Sequence, residues 1–101
     1  MAIRNSGEEK FLVNGEINEI KRMVSSALSR GGFSSIMENK LLNQFTADYK
    51  KMTIWGKIII TLYEENDKVA ITAKSTANVD NIYALFSSPT QKILDKFKAN
   101  L

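Results

Sequence analysis

The stretch from Thr53 to Tyr63 constrains this chain more than any other. It reads Thr-Ile-Trp-Gly-Lys-Ile-Ile-Ile-Thr-Leu-Tyr. Such a density of β-branched and aromatic residues suits a pleated, half-buried strand. Successive side chains of a strand point to opposite faces. Ile54, Ile58, Ile60 and Leu62 therefore share one face with Gly56, and that face is almost wholly apolar. Thr53, Trp55, Lys57, Ile59, Thr61 and Tyr63 form a mixed second face. Glu64-Glu65-Asn66-Asp67 reads as a turn, and Lys68 to Thr76 as the return strand. There Val69, Ile71, Ala73 and Ser75 alternate with Lys68, Ala70, Thr72 and Lys74. The two runs predict an antiparallel hairpin whose apolar face needs a cover. Gly56 marks either a bulge or a place where another backbone comes close.

Two amphipathic helices supply that cover. From Glu16 to about Ser29, Ile17, Ile20, Val24, Ala27 and Leu28 fall on one helical face, with Met23 at its edge. Asn14 is positioned to cap this helix, and Gly31-Gly32 supply a left-handed stop. At the other end of the chain, Ser88-Pro89-Thr90-Gln91 has the form of a helix start. Ser88 is a good N-cap, Pro89 fits the first helical position, and Gln91 completes a capping box. Ile93, Leu94, Phe97 and Leu101 follow as an apolar stripe, with Lys92, Lys96 and Lys98 off it. Asp80 to Phe86 reads as one turn or a short helix.

The remaining strands are shorter. Residues 1–8 are small and polar and read as a loose tail. Lys10-Phe11-Leu12-Val13-Asn14 reads as a strand. Phe33 to Glu38 predicts a strand leaving the glycine pair. Lys40 to Phe45 suits strand or helix, and a second short strand with a turn near Asn39 is preferred because a four-stranded meander follows. Thr46 to Lys51 is polar and reads as a connection. The domain organisation is a tail over 1–8 and a single α+β domain over 9–101. Its order is strand, helix, four strands, helix: an antiparallel sheet with both helices packed on one face.

This order, over residues from about 10 to 101, resembles the TATA-box-binding-protein-like fold. It also resembles the larger helix-grip fold of START-type lipid-transfer proteins. The resemblance is one of topology and rests on no residue motif. It implies a two-layer α+β sandwich and, for the helix-grip relatives, an apolar ligand held between the sheet and the C-terminal helix. The chain is one unit where the TATA-binding protein has two, and it is shorter than the helix-grip carriers.

Composition removes many chemistries. The 101 residues contain neither histidine nor cysteine. Serine and cysteine triads built on histidine are excluded, as are zinc sites of Cys and His. Lys74 and Ser75 are adjacent on a strand, point to opposite faces, and cannot form a dyad. Glu64, Glu65 and Asp67 sit at a hairpin tip and do not match a calcium loop. Gly31-Gly32 follows a helix and lacks the Lys-Ser/Thr partner of a phosphate loop. No catalytic residue, metal ligand or cofactor is predicted, and the chain is read as a non-enzyme.

The candidate binding residues are Trp55, Lys57, Ile59 and Tyr63, an apolar strip with one charge on the second sheet face. A Trp beside a Lys can stack on a base, a sugar or an acyl chain, or cover the sheet and a subunit contact. Met23, Met37 and Met52 read as core filler, with an adaptable pocket as the alternative. The net charge of +3 is mild and spread along the chain, so nucleic acid is not the favoured partner. No apolar window is long enough to span a membrane, and the N-terminal residues lack a signal-peptide shape. The reading is a cytoplasmic, non-enzymatic binding or interaction domain that meets a protein partner or itself. The alternatives are a carrier of a small apolar ligand and a weak nucleic-acid-binding module.

Overall fold

The structure, a computed structural model, describes residues 3–51, 54–79 and 89–101, with side chains over 7–50, 55–78 and 90–101. Its elements are β1 (Ile3–Asn14), α1 (Ile17–Arg30), β2 (Ser34–Asn39), β3 (Gln44–Lys51), β4 (Ile54–Glu65), β5 (Lys68–Val79) and α2 (Pro89–Ala99). The strands form one antiparallel sheet in the order β1-β5-β4-β3-β2. The fold class is α+β, as the sequence predicts. The molecule is 44 Å long and 23 Å across, a length that matches its 12-residue strands.

The hairpin of β4 and β5 is the centre of the sheet. Its strands run on to Glu65 and resume at Lys68, so Glu64 and Glu65 are strand and the turn is Asn66-Asp67 alone. Both turn residues have positive φ, 48° and 67°, as a two-residue type I′ turn demands. Asn and Asp tolerate that region better than other non-glycine residues. Counting outward from this turn sets every pair of the hairpin: Tyr63 faces Ala70, Ile59 faces Lys74, Lys57 faces Thr76 and Trp55 faces Asn78. The register is continuous through Gly56, so that glycine marks no bulge. A Cβ there would run into the Thr76 carbonyl oxygen, which makes it the close backbone approach.

Ile58, Ile60 and Leu62 lie on the covered face beside Val69, Ile71, Ala73 and Ala77, all buried. Both helices pack there. Ile20, Val24, Ala27 and Leu28 of α1 and Ile93, Leu94 and Phe97 of α2 join the same core, with Leu101 at its border. A Schellman motif ends α1: the Phe33 amide donates to the Leu28 carbonyl at 3.1 Å, and the Gly32 amide donates to that of Ser29. Gly32 takes φ 81°, while Gly31 stays right-handed at −75°. The helix starts from Glu16, which makes no side-chain cap bond, so Asn14 is not its cap. Asn14 is instead the last residue of β1, opposite Lys68.

Helix α2 crosses onto β1 and β5 over small residues. Ser75 is fully buried and its hydroxyl donates to the Thr90 carbonyl at 3.0 Å. Opposite Ser75, Gly7 leaves room for Thr90, whose Oγ1 would stand 3.2 Å from an added Cβ. The Gln91 amide nitrogen donates to Glu9 at 2.9 Å and to Asp95 at 2.8 Å. Ser88 and the predicted turn over 80–86 lie outside the described residues, as does Met52.

Two expectations about the strands are corrected. Strand β1 begins at Ile3, so the predicted tail is strand through most of its length. The segment over 46–51, read as a connection, is the body of β3. Its polar residues Thr46, Asp48 and Lys50 are the half facing away from the helices, while Phe45, Ala47 and Tyr49 are buried. Strand β2 is short and bulged between Ser34 and Met37, with Ser35 at φ 51°. The turn near Asn39 is present: the Leu41 and Leu42 amides donate to Asn39 Oδ1 at 3.1 and 3.2 Å. Met23 and Met37 are exposed, so neither fills the core.

Candidate functional site

The face of the sheet away from the helices takes the opposite parity of every strand. On β4 it presents Trp55, Lys57, Ile59, Thr61 and Tyr63, and the strands on either side add rows to them. Trp55 lies between Asn78 and Lys50, Lys57 between Thr76 and Asp48, and Ile59 between Lys74 and Thr46. Threonine is frequent here because it suits a strand yet leaves a polar surface.

Trp55, Lys57 and Ile59 line one shallow depression of about 350 Å³ together with Gly56, Thr76 and Asn78. Trp55 and Ile59 are half-buried, whereas Lys57 extends into solvent. The depression lies where Gly56 brings β4 tightly against β5. The Lys57 ammonium stands 4.0 Å from Asp48, a loose pair on an exposed surface.

Tyr63 does not join this group. It sits two rows beyond Ile59, beside Ala70 and in line with Leu12. The Lys10 ammonium rides 5.4 Å above its ring and reaches Glu65 at 3.2 Å. The Tyr63 hydroxyl first, and then the Glu65 carboxylate, hold the Lys10 ammonium above its ordinary pKa. Ala70 is fully buried between Leu12 and Tyr63. The four predicted residues thus divide into a depression of three and a separate stacked cluster.

Sequence reasoning missed Thr76 and Asn78. Their signal was present: counting back from a two-residue turn at Asn66-Asp67 pairs them with Lys57 and Trp55. It also missed the tip of the β2–β3 hairpin. Leu41 is 95% exposed, Leu42 58% and Met37 66%, beside a second open depression lined in part by Lys40, Gln44 and Thr46.

No protein-family model matches the chain, and no curated protein is similar to it. In structure it is similar to the Mll3558 protein of Rhizobium loti, whose crystal structure superposes with a TM-score of 0.53. The match covers 100% of this chain and 99% of that one, at 8% sequence identity. A likeness at that identity is one of fold alone.

Proposed function

We propose that this protein is a small non-enzymatic binding domain whose contact surface is the helix-free face of the sheet around Trp55. The observation that carries the reading is the depression in which a half-buried Trp55 and Ile59 meet the exposed Lys57, with Thr76 and Asn78 as polar rim. An aromatic and an aliphatic side chain within a polar border is the composition of a protein contact site. Two further features support it. The chain lacks histidine and cysteine, the residues most used for acid–base and nucleophilic work. The space between sheet and α2 is filled by Ile93, Leu94 and Phe97 against Ile58, Ile60 and Ile71, which favours contact on the outer face over a ligand carried inside.

A protein partner is preferred to nucleic acid. On the helix-free face Lys57 stands near Asp48 and Lys10 is paired with Glu65, which breaks up a basic stripe. No helix among the described residues is long and apolar enough to cross a membrane. The absence of cysteine supports a cytoplasmic setting. The strand order, with both helices on one face, supports placing the domain beside the TATA-binding-protein-like folds.

Fluorescence of the single Trp tests the site. In dilute, monomeric protein the Trp55 emission is expected to be red-shifted and quenched by iodide, and Trp55→Ala to keep the circular dichroism spectrum and cooperative unfolding. Blue-shifted, iodide-protected emission in a proven monomer would make Trp55 a core residue and remove the site.

A further inference from the structure

We infer that the free edge of β1 pairs antiparallel with the β1 of a second copy of this chain, joining two sheets into one across a two-fold axis. Trp55 lies on β4, beyond β5 from this edge, so the inference is independent of the contact face above.

The sheet order leaves two edges, and they differ. Strand β2 has 6 residues, is bulged between Ser34 and Met37, and carries Ser35 at φ 51°. Short, bulged edges do not template another strand. Strand β1 has 12 residues and no proline, and it pairs with β5 in one unbroken register from Ile3 to Asn14. Among the described residues, no turn, loop or cap hydrogen bond reaches its backbone. Both of its faces are apolar near one end: Phe11 and Val13 border the core, and Leu12 is 48% exposed on the outer face. A regular edge of this kind is a template for a further strand.

The β4–β5 turn fixes which groups of β1 are free. A two-residue turn is closed by a hydrogen-bonded pair, here Glu65 with Lys68. Such pairs recur at every second position of an antiparallel ladder. The even-numbered residues of β5 therefore bond to β4, and the odd-numbered ones to β1. On β1 the odd-numbered residues are bonded to β5, while Glu8, Lys10 and Leu12 point their N–H and C=O groups outward. A second β1 must match those groups, so residues of like parity face each other. The helices of both copies then lie on one side of the joint sheet.

Two registers overlap nearly the whole strand. One is centred on Glu8 and sets Glu8 against Glu8. The other is centred on Glu9 and overlaps residues 4–14 of both copies. It sets Glu8 of each copy against Lys10 of the other, and Phe11 against Gly7. Opposite charges facing across strands stabilise, and like charges do the reverse. Phe11 also gains a neighbour that has no side chain of its own, an arrangement that favours aromatic–glycine pairing at an edge. The sequence of β1 is in this sense complementary to itself, which selects a second copy as the occupant. Within the chain, Lys10 reaches Glu65 at 3.2 Å, Glu8 faces Lys74, and Lys98 holds Glu9 at 2.8 Å, so the charges of this edge are already countered. The unfavourable part of the join is at the axis, where Glu9 meets Glu9 and each Lys98 also serves Asp95 at 3.6 Å. It makes the dimer reversible. Each copy uses its one regular edge, so association stops at two.

Sedimentation equilibrium from micromolar to millimolar protein, with a cross-linking assay, tests the inference. Wild type is expected to pass from monomer to dimer and no further. Leu12→Pro removes an outward N–H and none of the bonds to β5, a place where an edge strand accepts proline. It is expected to keep its circular dichroism spectrum and to weaken the dimer by about ten-fold or more, since two hydrogen bonds are lost by symmetry. Glu8→Lys, at an exposed position, sets like charges together in both cross-strand pairs; it is expected to weaken the dimer too, and it serves should Leu12→Pro unfold. The chain has no cysteine, so a single introduced thiol reports the register. Position 9 falls opposite itself in a closely spaced, non-hydrogen-bonded pair, within disulfide reach. Glu9→Cys is therefore expected to form a covalent dimer under mild oxidation, and Lys40→Cys, on the far β2–β3 loop, to form none at the same concentration. Four results overturn the inference: growth beyond the dimer, a folded Leu12→Pro or Glu8→Lys that dimerises like wild type, Glu9→Cys cross-linking no faster than Lys40→Cys, or a wild type that stays monomeric, which would leave the edge to an extended segment of another protein.

Discussion

Gly56 and Gly32 show why one residue type serves two purposes. Gly32 is needed for its backbone: at φ 81° a side chain is strained, although the space around it is open. Gly56 is needed for its emptiness, because a Cβ would strike the Thr76 carbonyl of the neighbouring strand. Gly56→Ala is expected to cost about 3 kcal/mol, since β4 and β5 must separate where Trp55 and Asn78 pair. Gly32→Ala is expected to cost about 1 kcal/mol, the strain of one left-handed residue. Urea unfolding of the two variants checks the order; a harmless Gly56→Ala would mean that the strands are not in close approach there. Serine follows the same logic as Gly7 at Ser75, where a small, hydrogen-bonded side chain lets α2 approach the sheet.

Among the elements, β1 and α2 are joined by a polar tie at the surface. Lys98 reaches Glu9 at 2.8 Å and Asp95 at 3.6 Å, and the Gln91 amide donates to Glu9 as well. The hydrogen bond from Lys98, followed by that from Gln91, holds the Glu9 carboxyl below its ordinary pKa; the bond to Glu9 holds the Lys98 ammonium above its own. The Glu9 contribution is full above the ordinary carboxylate range and is lost as pH falls through the depressed value. The Lys98 contribution is full below the ordinary lysine value and is lost as pH rises through the raised one. Glu9→Gln is therefore expected to lower Tm at neutral pH, with the gap to wild type closing in acid. A gap that persists unchanged below pH ~3 would show that the loss comes from packing and not from charge. Just past the C-terminus of α2, Arg30 of α1 donates to the Asn100 carbonyl at 2.8 Å and ties the two helix ends together. The apolar stripe of α2 was legible in the sequence, but these ties were not, since their partners are 70 to 89 residues apart.

At the scale of the whole molecule, one continuous core lies under both helices, and the sheet has an inside and an outside. Ile58→Ala and Ile60→Ala are each expected to cost about 2–5 kcal/mol, through lost burial and the cavity left behind. Lys57→Ala, next to Ile58 along the strand but on the outer face, is expected to cost under about 0.5 kcal/mol. Chemical denaturation that ranks all three alike would overturn the assignment of faces. The sequence alone determined the hairpin, both helices, the two faces of β4 and the absence of histidine and cysteine chemistry. Each of these is written in near neighbours, as a period of two, a period of 3.6, or a residue that is simply missing. Tertiary structure decided the rest. Ser6-Gly7-Glu8-Glu9 is extended because the open edge of β5 offers it partners about 65 to 70 residues away, against its own weak preference for strand. Thr46 to Lys51 is strand because β4 pairs with it, although half of its residues are polar. The meeting of Trp55 with Asn78 and the separation of Tyr63 from that group both depend on pairing between distant segments. Local propensity carries no record of such pairing, because its free energy exists only once the strands have met.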